Sequence, residues 1–196
     1  MGLAANEILD VIKRSDRCYQ TVRGFVAEYQ LEKRIQRLVE SGLIRSYLRI
    51  NRDGKPDFSV ELTGRSEFIE CKNVKTSDVF KNGDRKVDFQ RTRNQVGQAA
   101  RTGRYYKPGE FDILAAAEHS SDGVWSFKFI RTKDLPTKVE EGVTVFQKVV
   151  RVPRVVHGTM WSTDLGFVLG LVEPHRASES TGLTGPVAEP RIVPLQ

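Results

Sequence analysis

Cysteine is scarce in this chain: Cys18 and Cys71 are its two cysteines in 196 residues. Their placement offers no zinc-ligand spacing and no disulfide framework; a buried thiol is the plain reading of Cys71, and a reducing compartment suits both. No run of about 18 apolar residues occurs, and no membrane span is expected. The N-terminal MGLAANEILDVIKRSDR carries acids in its first turns and lacks an apolar signal-peptide core, which points to the cytoplasm. The histidines His119, His157 and His175 are isolated, and none is assigned a catalytic role. Internal repeats are absent. What remains is a soluble chain, 39% hydrophobic and 29% charged, long enough for one domain with a substantial core. That domain is expected over residues 1–172, with a helical part over about 1–43 and a core over about 44–131. Residues 173–196 (EPHRASESTGLTGPVAEPRIVPLQ), rich in Pro, Gly and Ser, are expected to form a flexible tail.

The net charge of +6 is unevenly distributed. Residues 13–52 carry ten Lys/Arg against four acids, and residues 81–107 carry eight against two, so each segment is +6. The segments 1–12, 53–80 and 108–196 are each −2. An acidic stretch between two basic ones suits a cation site set inside a phosphate-binding surface, although charge runs also serve simply to solvate helix faces.

Hydrophobic spacing predicts helices over 5–14 and 21–41, the second stopped by Gly42. Strands follow over 44–50, 58–62 and 67–74, with a turn at Asn51-Arg52-Asp53-Gly54. Residues 87–100 read as a helix. The near-continuous apolar run 111–117 reads as a strand buried on both faces. Further strands are read over 124–131 and 143–152, and a closing helix over 161–172 capped by Ser162 or Thr163. Trp125 and Trp161 are read as core.

The chemistry concentrates at Pro56-Asp57 and, thirteen residues on, Glu70-Cys71-Lys72. Two carboxylates are hard oxygen ligands suited to Mg²⁺, and the lysine supplies a cation beside the water such a metal would activate. A hairpin turning between Gly64 and Arg65 pairs Ser59 with Glu70 and Asp57 with Lys72. Side chains alternate along strands, so Asp57, Glu70 and Lys72 emerge on one face and Phe58, Val60, Ile69 and Cys71 on the other.

This stretch resembles the PD-(D/E)XK nuclease superfamily, which includes many type II restriction endonucleases. Asp57, Glu70 and Lys72 match the acidic, acidic and lysine positions. The resemblance is carried by residues 56–72 and extends over about 20–130. It implies an α/β restriction-endonuclease-like core, a mixed β-sheet flanked by helices, and a DNA endonuclease of restriction or phage-defence type. It further implies Mg²⁺ (or Mn²⁺) held by Asp57, Glu70 and the main-chain carbonyl of Cys71, with Lys72 orienting or deprotonating the attacking water. Relatives often add an acid from the preceding helix, here Glu28 with Glu32 as rival. They also often place a polar residue on the following helix, here Gln90, which shares a face with Asn94. Arg91, Arg93, Arg101 and Arg104 are the candidate DNA phosphate contacts, and Tyr105 and Tyr106 beside them read as loop anchors. A homodimer is expected on DNA. The stripe Trp161, Leu165, Phe167, Val168 and Leu171 is large enough to form its face but reads more simply as core. A competing reading makes residues 7–62 a winged helix-turn-helix regulator, in which Asp57 is incidental.

Overall fold

The computed structural model describes residues 4–91 and 103–173, without the side chains of 76–78. Helix α1 (Ala5–Arg14) is separated by Ser15 from α2 (Asp16–Glu40), whose N-terminus is capped where Ser15 Oγ accepts from the Cys18 N–H at 3.3 Å. That cap starts the long helix earlier than its apolar stripe suggests. Ala27, Leu31 and Ile35, four residues apart, form its buried face, and each large aliphatic contributes about 2 kcal/mol on leaving water. The helix ends in paired bonds, Gly42 N–H to Val39 O and Leu43 N–H to Leu38 O, both 2.9 Å. This ending needs a left-handed residue, and Gly42 supplies it with φ +74°.

The strands are β1 (Ser46–Arg49), β2 (Phe58–Leu62), β3 (Arg65–Val79), β4 (Arg85–Asp88), β5 (Ile113–His119), β6 (Trp125–Arg131), β7 (Thr137–Glu140), β8 (Val143–Phe146) and β9 (Val149–Val152). Seven of them form one mixed sheet, and β7 and β8 form a separate hairpin. The 15-residue β3 organises the sheet. Its first half lies between antiparallel β2 and parallel β5, and its second half pairs with β4, which leads to β9. The α/β class expected from the sequence is therefore the one formed: a central mixed sheet with flanking helices.

Each sheet face closes over its own core. Phe58, Val60, Ile69, Cys71, Ile113, Ala115, Phe127 and Phe129 pack under α2 and the short α3 (Leu165–Val168). Val74, Val87, Leu114, Ala116 and Ile130 pack on the opposite side against Phe89, Tyr106, Phe111, Phe146 and Trp161. Residues 113–117 alternate between the two cores, which explains their unbroken apolar run.

Two helix expectations are corrected. The predicted helix over 87–100 begins instead as the end of β4 and an extended segment through Gln90, and its residues 92–100 lie outside the described residues. Val87 pairs with Val74 and Val150, Phe89 N–H bonds Lys148 O at 2.7 Å, and Gln90 bridges to Tyr105. The apolar period there is two, Val87 and Phe89, and burial of both decides the conformation. The closing helix shrinks to four residues because Ser162 exchanges backbone hydrogen bonds with Phe129 on β6, at 2.7 and 2.9 Å. Asp164, rather than Ser162 or Thr163, then caps α3 through Oδ1 to the Phe167 N–H at 3.2 Å. In the proposed dimer stripe, Trp161 and Leu165 are core, Val168 and Leu171 pack against it, and Phe167 alone is exposed, at 40%. A winged helix is not formed either, because α2 is unbroken and β1 and β2 belong to the large sheet. Among the described residues no helix is long and apolar enough to cross a membrane.

Candidate active site

Asp57 immediately precedes β2, and Glu70 and Lys72 alternate along β3. The hairpin register differs by two residues from the expected one. Leu62 pairs with Arg65 and Phe58 with Ile69, and the Asp57 N–H also reaches the Ile69 carbonyl, at 3.1 Å, so Asp57 closes the pairing beside Ile69 rather than opposite Lys72. The cause is the turn: Thr63 and Gly64 are its central residues, and Gly64 takes φ +81°, which favours glycine at that second place. A displacement of two positions keeps every side chain on its face. Glu70 and Lys72 therefore stay on the face of β3 opposite Ile69 and Cys71, and Asp57 is held against them by its bond to the Cys71 N–H between them.

The three groups are tightly bonded. Asp57 Oδ2 accepts from the Cys71 N–H at 2.7 Å. Glu70, 3% exposed, receives on Oε1 both the Lys72 ammonium, at 2.6 Å, and the Tyr106 hydroxyl. Its other oxygen, Oε2, is buried without a hydrogen-bond partner among the described residues. Lys72 lies 5.3 Å from the Tyr106 ring centre and keeps 24% of its side chain open to solvent.

Burial, and then the Glu70 charge, push the Asp57 carboxyl up to about 8, against the opposing pull of Lys72 and the Cys71 N–H. Burial alone would lower the Lys72 ammonium. Glu70, Tyr106 and Asp57 outweigh that and hold it well above its ordinary value. The Tyr106 hydroxyl is raised by burial, with Lys72 and Glu70 acting in opposite directions. The Cys71 thiol is raised by burial and by Asp57, as an inert core thiol should be.

Tyr106 is the residue that sequence reasoning missed. The sequence presents it as a loop anchor, and its backbone is one, because its carbonyl accepts from the Phe146 N–H at 2.9 Å. Its ring stacks on Phe89 at 4.9 Å, and this aims the hydroxyl at Glu70. Nothing in the local sequence signals a contact with a residue 36 positions away.

The secondary candidates separate. Glu28 and Glu32 both engage Arg49, at 2.9 and 3.4 Å, and Glu32 also accepts from the Tyr47 hydroxyl at 3.1 Å. The Glu28 charge adds to the upward push on Asp57 and Cys71, so Glu28 borders the site. Gln90 stands on an extended segment bridged to Tyr105, not on a helix. Arg91 is corrected as a phosphate contact. It is 6% exposed, pairs with Glu110, donates to Tyr105 O at 2.8 Å, and lies 4.6 Å from the Tyr106 ring centre. It buttresses Tyr106 from inside. Arg104 is exposed, with Nε donating to Arg91 O at 3.1 Å. Arg93, Asn94 and Arg101 lie outside the described residues, as does the tail beyond Glu173.

Among the described residues, no group of three or more His, Cys, Asp or Glu could hold a metal ion. Any cation here must therefore use main-chain oxygen as well. The donors fit a hard divalent cation on three counts. Glu70 Oε2 is an anionic oxygen without a partner. Burial, and then the Glu70 charge, hold Asp57 away from its ionised form, a cost that a cation would relieve. The Cys71 N–H points towards β2, so in an extended strand its carbonyl points the same way, past the last β2–β3 pair at Phe58 and Ile69.

No protein family matches the chain, and comparison with curated proteins finds no match in sequence. Among solved structures, a bacterial homing endonuclease is similar at 16% identity and a TM-score of 0.39, over 62% of this chain and 80% of that one.

Proposed function

We propose that this chain is a divalent-metal-dependent endonuclease that hydrolyses DNA phosphodiesters through the PD-(D/E)XK arrangement of Asp57, Glu70 and Lys72. The single observation that carries the reading is the unpartnered, buried Glu70 Oε2 beside Asp57, with Lys72 fixed on the other Glu70 oxygen. Asp57, Glu70 and the Cys71 carbonyl would hold Mg²⁺ or Mn²⁺. When bound, that ion supplies charge stabilisation at the phosphoryl oxygens and lowers the pKa of water.

The chain's own groups do the rest. Tyr106 and Lys72 occupy Glu70 Oε1 and so keep Oε2 turned to the site. Lys72, held protonated by its neighbours, orients the attacking water and offsets charge on the phosphate rather than acting as the base. The water oxygen bonds phosphorus, the bond from phosphorus to the leaving nucleotide oxygen breaks, and the water proton passes to solvent. Glu28, tethered by Arg49, would tune the site's charge from α2. A role in restriction or phage defence, cutting as a homodimer, suits such a site, with repair or recombination as the alternative setting.

The test is incubation of the full chain with plasmid and linear DNA in Mg²⁺ or Mn²⁺, against an EDTA control. Metal-dependent nicks or breaks are expected. Discrete bands would mark a restriction-type enzyme and a smear a non-specific one. Absence of cutting at low salt and high enzyme concentration would end the enzymatic reading.

A further inference from the structure

A second cluster of charge lies across α2 from the candidate active site. Gln30, Lys33, Arg34 and Arg37 line one side of a groove of about 120 Å³, and Trp125 and Phe127 of β6 line the other. At about 100° per residue these four share one flank of α2, and Glu28 and Glu32 occupy the other, where Arg49 engages them. The cations that flank the two cores are paired differently. Lys72, Arg65, Arg91, Arg131, Lys128 and Lys138 each have a carboxylate partner. No ion pair is formed by Lys33, Arg34 or Arg37 among the described residues. Their ring contacts are to aromatics: Lys33 lies 4.4 Å from the Tyr29 centroid and Arg34 5.0 Å from that of Phe127.

Three like charges gathered around a concavity repel one another, and a partly desolvated guanidinium loses hydration as well. Burial, and then the charge of Arg37, lower the Arg34 guanidinium from its ordinary value. Such an arrangement is stabilised by an anion. A carboxylate from the fold would serve, but Glu28 and Glu32 lie on the far flank, and Glu40, one turn beyond Arg37, forms no ion pair with the cluster among the described residues. Arg34, resting over the Phe127 ring, offers a fork of N–H donors that suits a tetrahedral oxyanion.

We propose that the groove between α2 and β6 binds a phosphate group, with Arg34 and Arg37 as its principal ligands, Lys33 as a third cation and Gln30 as a neutral donor. The phosphate belongs either to a nucleic-acid strand or to a free nucleotide. The strand alternative rests on the DNA reading above, but binding is measured without metal, so absence of cleavage leaves the site standing.

The experiment uses the full chain in EDTA. Affinities are measured for a fluorescein-labelled oligonucleotide by anisotropy and for deoxyadenosine 5′-monophosphate by calorimetry. Arg34→Gln/Arg37→Gln is compared with Lys133→Gln/Lys148→Gln, which removes the same charge from exposed positions outside the groove. A loss of about tenfold or more beyond that control for the oligonucleotide alone assigns the groove to a strand, with a salt slope reduced by about 1–2. The same loss for the mononucleotide assigns it to a free nucleotide. Lys33→Gln/Arg37→Gln, which spares the Arg34–Phe127 contact, gives the same comparison if the first variant fails to fold. Equal affinities of the groove variants and the control for both ligands overturn the proposal.

Discussion

Replacing Asp57 by asparagine should stabilise the metal-free protein, and the gain should grow with pH. The folded Asp57 carboxyl keeps its proton to about pH 8, whereas the ordinary value for the unfolded chain is 3.8. A raised folded pKa gives stability that is present at low pH and is lost as pH climbs from about 4 to about 8. At ~1.36 kcal/mol per pH unit, the loss has a ceiling of about 6 kcal/mol once both states are ionised. Water entry and relaxation around a partly buried group reduce this by about half, leaving ~2–3 kcal/mol. Asparagine keeps the shape and an oxygen to accept the Cys71 N–H but carries no charge, so it removes the loss. For a chain of this size the melting temperature should rise by roughly 5–10 °C at pH 8 and hardly at all at pH 4.5. The assay is differential scanning calorimetry of both proteins in EDTA across that range, repeated with Mn²⁺. Wild type should gain stability from the metal, and Asp57→Asn should gain little. A pH-independent difference, or a less stable Asp57→Asn at pH 8, would refute the reasoning.

Other outcomes follow from the same geometry. Glu70→Gln and Lys72→Ala should each lower cleavage by about 10²–10³-fold while DNA affinity changes less than about threefold, measured by plasmid nicking and by binding in Ca²⁺; near wild-type cutting by Lys72→Ala would remove it from the mechanism. Tyr106→Phe takes a donor from a buried carboxylate and should cost about 1.5–3 kcal/mol in urea unfolding, with weaker metal binding; unchanged stability and metal affinity would show the hydroxyl to be idle. Metal affinity should rise about tenfold per pH unit up to about pH 8 and then level off, because Asp57 must shed its proton; a calorimetric titration flat from pH 6 to 8 would contradict this. Arg91→Ala should destabilise by about 2–4 kcal/mol without weakening DNA binding per folded molecule, and a selective loss of DNA affinity would restore Arg91 as a phosphate contact.

The candidate site was legible because face alternation survives an even displacement. The turn falls one residue earlier than the spacing predicts, every pairing shifts by two, and Glu70 and Lys72 still share a face, with Asp57 held against them at the Cys71 N–H. The strand at Val87 and Phe89 was not legible. Its period-two burial is short and continues into polar residues whose spacing also suits a helix, and only the partners Val74 and Val150 decide the matter. Arg91 could not be placed either, since its partner Glu110 and its platform Tyr106 are chosen by tertiary packing, and charge alone pointed outward. The closing helix expected over 161–172 is cut to the four residues of α3 by a backbone bridge between Ser162 and Phe129 that no local pattern announces.

The length of β3 has a consequence for how the molecule comes into being. Glu70 and Lys72 belong to a strand whose parallel neighbour begins only at Ile113, so the pair Ile69–Ile113 must close a long loop before the strand is fixed. Such closure is slow and comes late, because chain entropy is surrendered before the ladder forms. The antiparallel hairpin with β2 can form earlier, but Tyr106, which turns Glu70 to face the site, packs among Phe111, Phe146 and Phe89. A nascent chain therefore carries Asp57, Glu70 and Lys72 long before it can hold them in place. A fragment ending before Phe146 should be inert although it contains all three.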